Sequence, residues 1–499
     1  MQYQSTRDKK LSITSAQAIK KGLSVEGGLF VPQNIPSIGI DEIEQMSDMT
    51  YNERAYMVLS KFLTDYSEEE LLDCVNSAYT KEKFETSSIA PVYKLNSSQY
   101  FLELWHGPTC AFKDMALQIL PHLLTKAMKK TNENDDVVIL VATSGDTGKA
   151  ALEGFRDVKG TRIIVFYPDN GVSEIQKLQM VTQEGDNVGV AAVNGNFDDA
   201  QNGVKKIFTD ENYKNELANN HFKLSSANSI NWGRLVPQIV YYFSAYADML
   251  KGKEINVGDK INVVVPTGNF GNILAAYYAK RMGLPIAKLI CASNENNVLT
   301  DFINTGIYDR KREFHTTISP SMDILISSNL ERFLFDISGC DDEMVSELMK
   351  KLNENGVYEV NEAMKKQISD LLYASCCDDD KTKESIKKCF KEYGYVIDTH
   401  TAVAKAVHDE YIEKTGDITK TVIASTASPF KFSQSVLIAL EGCGYVAGKD
   451  EFALLDDLSA ISEMNIPKSL AELKNKNRIF DVVCEKEQMP QVVNEMLNI

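Results

Sequence analysis

Apolar residues in the first 95 positions recur at three- and four-residue steps. Two such runs, 51–62 and 68–79, predict helices. Glu68, Glu69 and Glu70 open the second, where the helix dipole favours acid. Leu29-Phe30-Val31 predicts one short strand, with a Gly27-Gly28 turn before it and Pro32 to stop it. Residues 1–95 thus read as a mostly helical N-terminal domain. From about 96 the pattern becomes strand, turn, helix, repeated. The run at 136–142, Asp-Val-Val-Ile-Leu-Val-Ala, predicts a strand buried on both faces. Further strands are expected at 100–104, 162–166, 188–193, 261–265, 289–292 and 420–425. They alternate with helices from 147 onward and at 173–181, 197–208, 272–282 and 433–440. Such alternation predicts an α/β fold with parallel sheets covered by helices.

The strands stop between about 325 and 395. Four charged helical runs, 329–335, 343–352, 361–372 and 384–393, predict a helical insertion there. The expected division is a smaller α/β domain at 96–228 and a larger one at 229–499 that holds the insertion.

One stretch joins a strand to a helix with unusual chemistry: His106-Gly107-Pro108-Thr109-Cys110-Ala111-Phe112-Lys113-Asp114. Gly107-Pro108 breaks the strand, Thr109 is placed to cap the helix that follows, and Pro121 should kink it. Lys113 falls in the first helical turn, beside Ala111 and Phe112. Taken alone, Lys113 reads as a solvated lysine on a helix face. The functional reading is an amine in an apolar pocket at a helix N-terminus, which disfavours the ammonium and leaves a nucleophile of the kind that forms Schiff bases.

The formal net charge of −17 over 499 residues excludes a general nucleic-acid or anionic-membrane binder. It also requires local groups to draw in any anionic substrate. No apolar run reaches membrane-spanning length, and the N-terminus shows no signal or transit pattern. Nine scattered cysteines without a CxxC pair suggest free thiols in a cytoplasmic protein. Six histidines without metal spacing imply no metal.

Three turns suit anions. Thr143-Ser144-Gly145-Asp146-Thr147-Gly148-Lys149 follows the strand at 136–142 and opens a helix. It fails as a Walker A motif, because Thr143 and Ala150 stand where that motif needs Gly and Ser or Thr. Pro266-Thr267-Gly268-Asn269-Phe270-Gly271-Asn272 suits a phosphate held by backbone N–H groups, and lacks the GxGxxG pattern. Ser425-Thr426-Ala427-Ser428-Pro429 places hydroxyls at a strand's carboxyl end. A Schiff-base lysine, a phosphate cradle and hydroxyl-bearing turns at strand ends together imply pyridoxal phosphate.

At this level the sequence resembles the threonine synthases, in the long bacterial and fungal form. The resemblance is carried by Tyr3 to Arg7, Gly22 to Pro32, the His106–Asp114 stretch, Thr143 to Gly148 and Asn228 to Trp232. Asn294-Glu295-Asn296, Ser319 to Ile324 and Thr399 to Ala404 extend it. It implies the fold-type-II pyridoxal-phosphate architecture: two parallel-sheet α/β domains, an N-terminal helical domain and a helical insertion. It implies that Lys113 forms the Schiff base, that Gly268, Asn269, Phe270, Gly271 and Asn272 hold the cofactor phosphate, and that Thr426 meets the pyridine nitrogen. Ser144, Gly145 and Thr147 would bind the substrate carboxylate, with Asp146 near the cofactor's phenolic oxygen. Arg234 and Lys149 are the candidate cations for a substrate phosphate, and His400 reads as structural. The sequence departs from the family at Cys110, where an aliphatic residue is usual, at Ser428, where His is usual, and at Phe430, where a small residue is usual. The implied reaction converts O-phospho-L-homoserine and water to L-threonine and phosphate. A serine or threonine dehydratase-like lyase is the alternative. The expected assembly is a monomer or homodimer.

Overall fold

The computed structural model describes residues 1–143, 145–169 and 172–499. Two parallel sheets organise it. The larger has six strands in the order Leu372–Cys376, Ile286–Ser293, Ile261–Pro266, Thr421–Ser425, Gln99–Glu103 and Val92–Lys94. All its pairings are parallel except the last, where Val92–Lys94 runs antiparallel to Gln99–Glu103. The smaller sheet has five strands, all parallel, in the order Val483–Cys484, Val188–Val193, Thr161–Pro168, Asp136–Ala142 and Phe222–Ser225. Its three inner strands are apolar runs buried on both faces, as helix-covered parallel sheets require.

Trp232–Lys251 is the central helix, and nearly every residue of it is buried. It packs against the helices Tyr51–Phe62 and Gly271–Met282. A helix buried on all sides is a core helix, and the polar Arg234, Gln238 and Ser244 are buried with it. Fully buried Arg332 fastens the N-terminal segment to this core. Its guanidinium donates to Phe30 O at 3.0 Å, Asn329 Oδ1 at 2.5 Å and Ile230 O at 2.6 Å.

Four expectations are corrected. The N-terminal domain is not mainly helical at its start: Tyr3–Ser5, Asp8–Ile13 and Phe30–Pro32 form an antiparallel sheet. Within 325–395 the strands do not stop, since Leu372–Cys376 is the edge strand of the larger sheet and Val357–Glu359 pairs with Ile307–Asp309. The limits 96–228 do not enclose one sheet. The strand before the lysine, Gln99–Glu103, pairs with Thr421–Ser425 in the larger sheet, and C-terminal Val483–Cys484 joins the smaller one. Finally, Pro121 does not kink a long helix. A short turn, Asp114–Leu117, is followed by a new helix, Leu120–Lys130, with Pro121 in its first turn, where its missing N–H costs nothing.

Candidate active site

Every turn singled out in the sequence leaves the carboxyl end of a strand, and all but one strand belong to the larger sheet. Gln99–Glu103 leads to the lysine loop, Thr421–Ser425 to Thr426, and Ile261–Pro266 to the glycine loop. Asp136–Ala142 of the smaller sheet leads to Asp146. Adjacent strands place the first two loops side by side. Phe112 N donates to Thr426 O at 2.8 Å, Ser428 N to Cys110 O at 3.0 Å, and Ala111 bridges Ala427. Ser428 and Phe430 are both fully buried against this pairing.

Lys113 caps the short Asp114–Leu117 turn rather than lying inside a helix. Thr109 does not cap it. Its N–H and hydroxyl both donate to Asp114, at 2.8 and 2.7 Å. A Cβ on Gly107 would lie 2.6 Å from Asp114 Oδ2, so glycine is required where the loop folds over that carboxyl. Burial pushes Asp114 up to about 6, against the Thr109 hydrogen bonds.

The Lys113 amine donates to Ser321 Oγ at 3.2 Å and lies 3.8 Å from Asp146 Oδ2. Burial lowers its pKa; Asp146 opposes this, and the positive charges of Lys431 and Arg234 reinforce it. Asp146 Oδ1 receives Lys431 Nζ at 2.8 Å and Gln176 Nε2 at 3.1 Å. Burial alone would raise its pKa, but Lys431 and then Lys113 hold the carboxyl well below the usual carboxylate range. Lys431 also donates to Thr109 O and Gln179 Oε1, which ties the lysine loop to the smaller sheet's helices. Sequence reasoning missed Lys431, Gln176 and Ser321.

In the glycine loop, Phe270 is left-handed (φ +60°) and Gly271 starts a helix. Among the described residues, the backbone N–H groups of Gly268, Asn269, Phe270, Gly271 and Asn272 have no acceptor. Five consecutive free donors at a helix N-terminus form a cradle for a phosphate. Gly268 is pressed against the loop that carries Ser321, where a Cβ would meet Ser321 O at 2.6 Å. Asn272 lends no backbone strain. Its Oδ1 accepts from Tyr241 and Tyr242 at 2.6 and 2.5 Å, and its buried Nδ2 has no partner. The Thr426 side chain makes no hydrogen bond among the described residues.

The turn at 143–149 follows the same design. Gly145 and Gly148 donate to Thr143 Oγ1, while the N–H groups of Asp146 and Thr147 have no acceptor among the described residues. Gly145 adopts φ +138°, and a Cβ there would strike the Gln176 amide. Ser144 lies outside the described residues. Lys149 is not brought to the site. Its ammonium pairs with Glu153 at 3.1 Å and with Gln183. Arg234 is brought there: it is buried, and it bears on the Lys113 amine. Its Nη1 donates to Ala227 O at 2.5 Å, and its Nε has no partner.

A buried, electrophile-ready amine beside a cradle of free backbone donors fits pyridoxal phosphate, and the two-sheet arrangement is that of the fold-type-II enzymes using it. The chain matches the pyridoxal-phosphate dependent enzyme model over residues 88–361. Flanking regions match the threonine synthase N terminus (2–79) and threonine synthase C-terminal (401–493) models. The chain belongs to the threonine synthase family. It is 38% identical to threonine synthase of Pseudomonas aeruginosa over 437 residues, 87% of this chain and 90% of that one. The pyridoxal-phosphate-bound threonine synthase of Brucella melitensis superposes with a TM-score of 0.88 at 34% identity, over 99% of both chains. Human threonine synthase-like 1 is 42% identical over 85% of this chain, which spans only 58% of that relative's length.

Proposed function

We propose that the chain is a threonine synthase, converting O-phospho-L-homoserine and water to L-threonine and phosphate. The observation that carries the reading is the Lys113 amine, held between Ser321 and Asp146 with its proton affinity lowered by burial. When bound, pyridoxal phosphate supplies an aldehyde for amines and a ring that withdraws electrons from the substrate's α-carbon.

Gly268 to Asn272 would hold the cofactor phosphate through their free N–H groups, and Thr426 would offer its hydroxyl to the pyridine nitrogen. The free N–H groups of Asp146 and Thr147, with Gly145 and Ser144, receive the substrate carboxylate at a helix N-terminus. Asp146 stays ionised because the Lys431 ammonium pairs with it, and so presents a carboxylate beside Lys113. Lys113 is then the base that moves protons at the substrate's α- and β-carbons, with phosphate leaving from the γ-carbon and water adding at the β-carbon. Arg234 compensates the substrate phosphate.

The test is product analysis. The protein, pyridoxal phosphate and O-phospho-L-homoserine are incubated, and threonine, phosphate and 2-oxobutyrate are assayed together. Equal threonine and phosphate, both lost in Lys113→Ala, are expected. Phosphate with 2-oxobutyrate and little threonine would make the chain an eliminase. No turnover with cofactor bound would sink the substrate assignment.

A further inference from the structure

Ser321 touches three parts of the site at once. Its hydroxyl accepts from Lys113 Nζ at 3.2 Å. Its carbonyl oxygen is the atom against which Gly268 lies. Its backbone N–H donates to His400 Nε2 at 3.1 Å. His400 is held from behind. Its Nδ1 lies 3.0 Å from Asp398 Oδ1, and its backbone N–H donates to the same oxygen at 2.8 Å. Asp398, fully buried, caps the helix Thr399–Thr415 and also accepts from the N–H and hydroxyl of Thr401. Asp398 already accepts from three N–H and O–H donors, and the Ser321 N–H needs an acceptor at Nε2, so the proton on His400 sits on Nδ1. Nε2 then presents its lone pair to Ser321. Both neighbours select the same tautomer. The ring is 3% exposed and packs on Phe432, with centroids 4.9 Å apart.

The other end of the Ser321 segment is also fastened. Asp323 accepts from Asn294 at 2.7 Å, Asn296 at 3.0 Å and Thr317 N and Oγ1 at 3.0 and 2.7 Å. Between these anchors, His400 is the side chain that sets where the Ser321 backbone stands.

From this geometry we infer that Asp398 and His400 form a positioning pair. They fix Ser321, and through it the separation between the Lys113 amine and the phosphate cradle at Gly268. The inference rests on Lys113 being the Schiff-base lysine. A lysine side chain has four rotatable bonds, and the Ser321 hydroxyl is the acceptor that selects among its rotamers. Accepting an N–H, rather than donating to the nitrogen, leaves the amine's lone pair free for carbon. Misplacement of a reacting group by about 1 Å costs about a hundredfold in rate.

The test uses the holoenzyme and three variants: Ser321→Ala, His400→Ala and His400→Gln. Glutamine restores an acceptor oxygen near the position of Nε2. In Ser321→Ala and His400→Ala, kcat is expected to fall about a hundredfold with KM within about twofold. His400→Ala also binds pyridoxal phosphate more weakly in absorbance titrations of the apoprotein. Ser321→Ala does not, because its backbone still reaches His400. His400→Gln recovers most of kcat and all of the cofactor affinity. A His400→Ala protein with parental kcat and cofactor affinity, altered only in unfolding temperature, overturns the inference. So does a His400→Gln protein as impaired as His400→Ala. If His400→Ala does not fold, Ser321→Ala decides, and parental kcat there is again fatal. Borohydride reduction of the parent separates the two levels. A pyridoxyl group absent from the Lys113 peptide sinks the lysine assignment itself. A labelled parent with indifferent variants sinks only the positioning pair.

Discussion

Lys431 Nζ and Asp146 Oδ1 meet at 2.8 Å, with both side chains buried from solvent. The pair joins the turn after a larger-sheet strand to the helix after a smaller-sheet strand. It also sets the charge around Lys113: the Asp146 carboxylate is shared between two ammoniums, one 2.8 Å and one 3.8 Å away. Replacing Lys431 by Met leaves a buried carboxylate with Lys113 as its remaining cation, which is expected to cost on the order of 3 kcal/mol in urea denaturation. The Lys113 amine also loses a neighbouring positive charge that lowers its pKa, so its proton affinity rises. Cofactor uptake by the apoprotein, followed by absorbance, should therefore be slower at neutral pH and should recover at higher pH. An unchanged pH profile would remove Lys431 from the electrostatics of the site.

Asp114 gives a pH dependence of stability with a definite sign. Its folded value, pushed up to about 6 by burial, lies above the unfolded value of 3.8. The folded state therefore binds the proton more tightly, and stability from this group is full below about 4 and is lost as pH rises through about 6. The difference corresponds to about 3 kcal/mol. Asp114→Asn stays neutral throughout. Its stability relative to the parent should climb by roughly that amount between pH 4 and 8, whatever constant offset the lost Thr109 hydrogen bond introduces. Paired urea titrations at several pH values check it, and a flat difference would refute it.

Gly268 is where the cradle meets the Ser321 loop. A Cβ there would stand 2.6 Å from a backbone oxygen, not from a flexible side chain. Gly268→Ala must push the two loops apart, and overpacking of this kind costs about 1–3 kcal/mol. Cofactor affinity should fall about tenfold or more, read as the dissociation constant of pyridoxal phosphate. Affinity equal to the parent's would mean that the cradle tolerates widening and that the phosphate is held elsewhere.

Much of this arrangement is legible in the chain, for reasons that differ by element. The strands Asp136–Ala142 and Val188–Val193 are continuous apolar runs between turn signals, and they fall where the pattern puts them. Leu372–Cys376 does not, because Leu-Tyr-Ala-Ser-Cys follows a helical period without a break and pairs with a strand about 80 residues earlier. In the helix Trp232–Lys251 even the polar Arg234, Gln238 and Ser244 are buried, so its exposed face is confined to the C-terminal end. Lys113, the glycine loop and the Thr426 turn announce themselves by local chemistry. Lys431 does not, though a signal was present: one cation between Phe430 and Phe432 just past a strand end. The Ser321–His400 contact spans 79 residues and has no local trace.

Arg234 provides the sharpest test of the substrate assignment. Of the buried arginines, Arg54 is paired with Asp248, and the other two, Arg332 and Arg234, differ. Arg332 spends Nε, Nη1 and Nη2 on carbonyl and amide oxygens of three segments, so its role is complete in the fold. Arg234 uses Nη1 alone, leaves Nε without a partner, and has no carboxylate within ion-pair distance among the described residues. Burial brings its pKa down to about 10, which still leaves it charged at neutral pH. A buried cation without a counter-ion costs several kcal/mol, and an arriving phosphate would relieve that. Arg234→Gln should therefore raise KM for O-phospho-L-homoserine by about a hundredfold, since charge-assisted bonds to phosphate contribute about 3 kcal/mol. Inorganic phosphate should raise the unfolding temperature of the holoenzyme but not that of the variant. Cofactor affinity is the discriminating control. If Arg234→Gln binds pyridoxal phosphate as the parent does, the guanidinium serves the substrate. If it loses the cofactor, the guanidinium serves the cofactor phosphate instead, and the substrate phosphate must be met by another group.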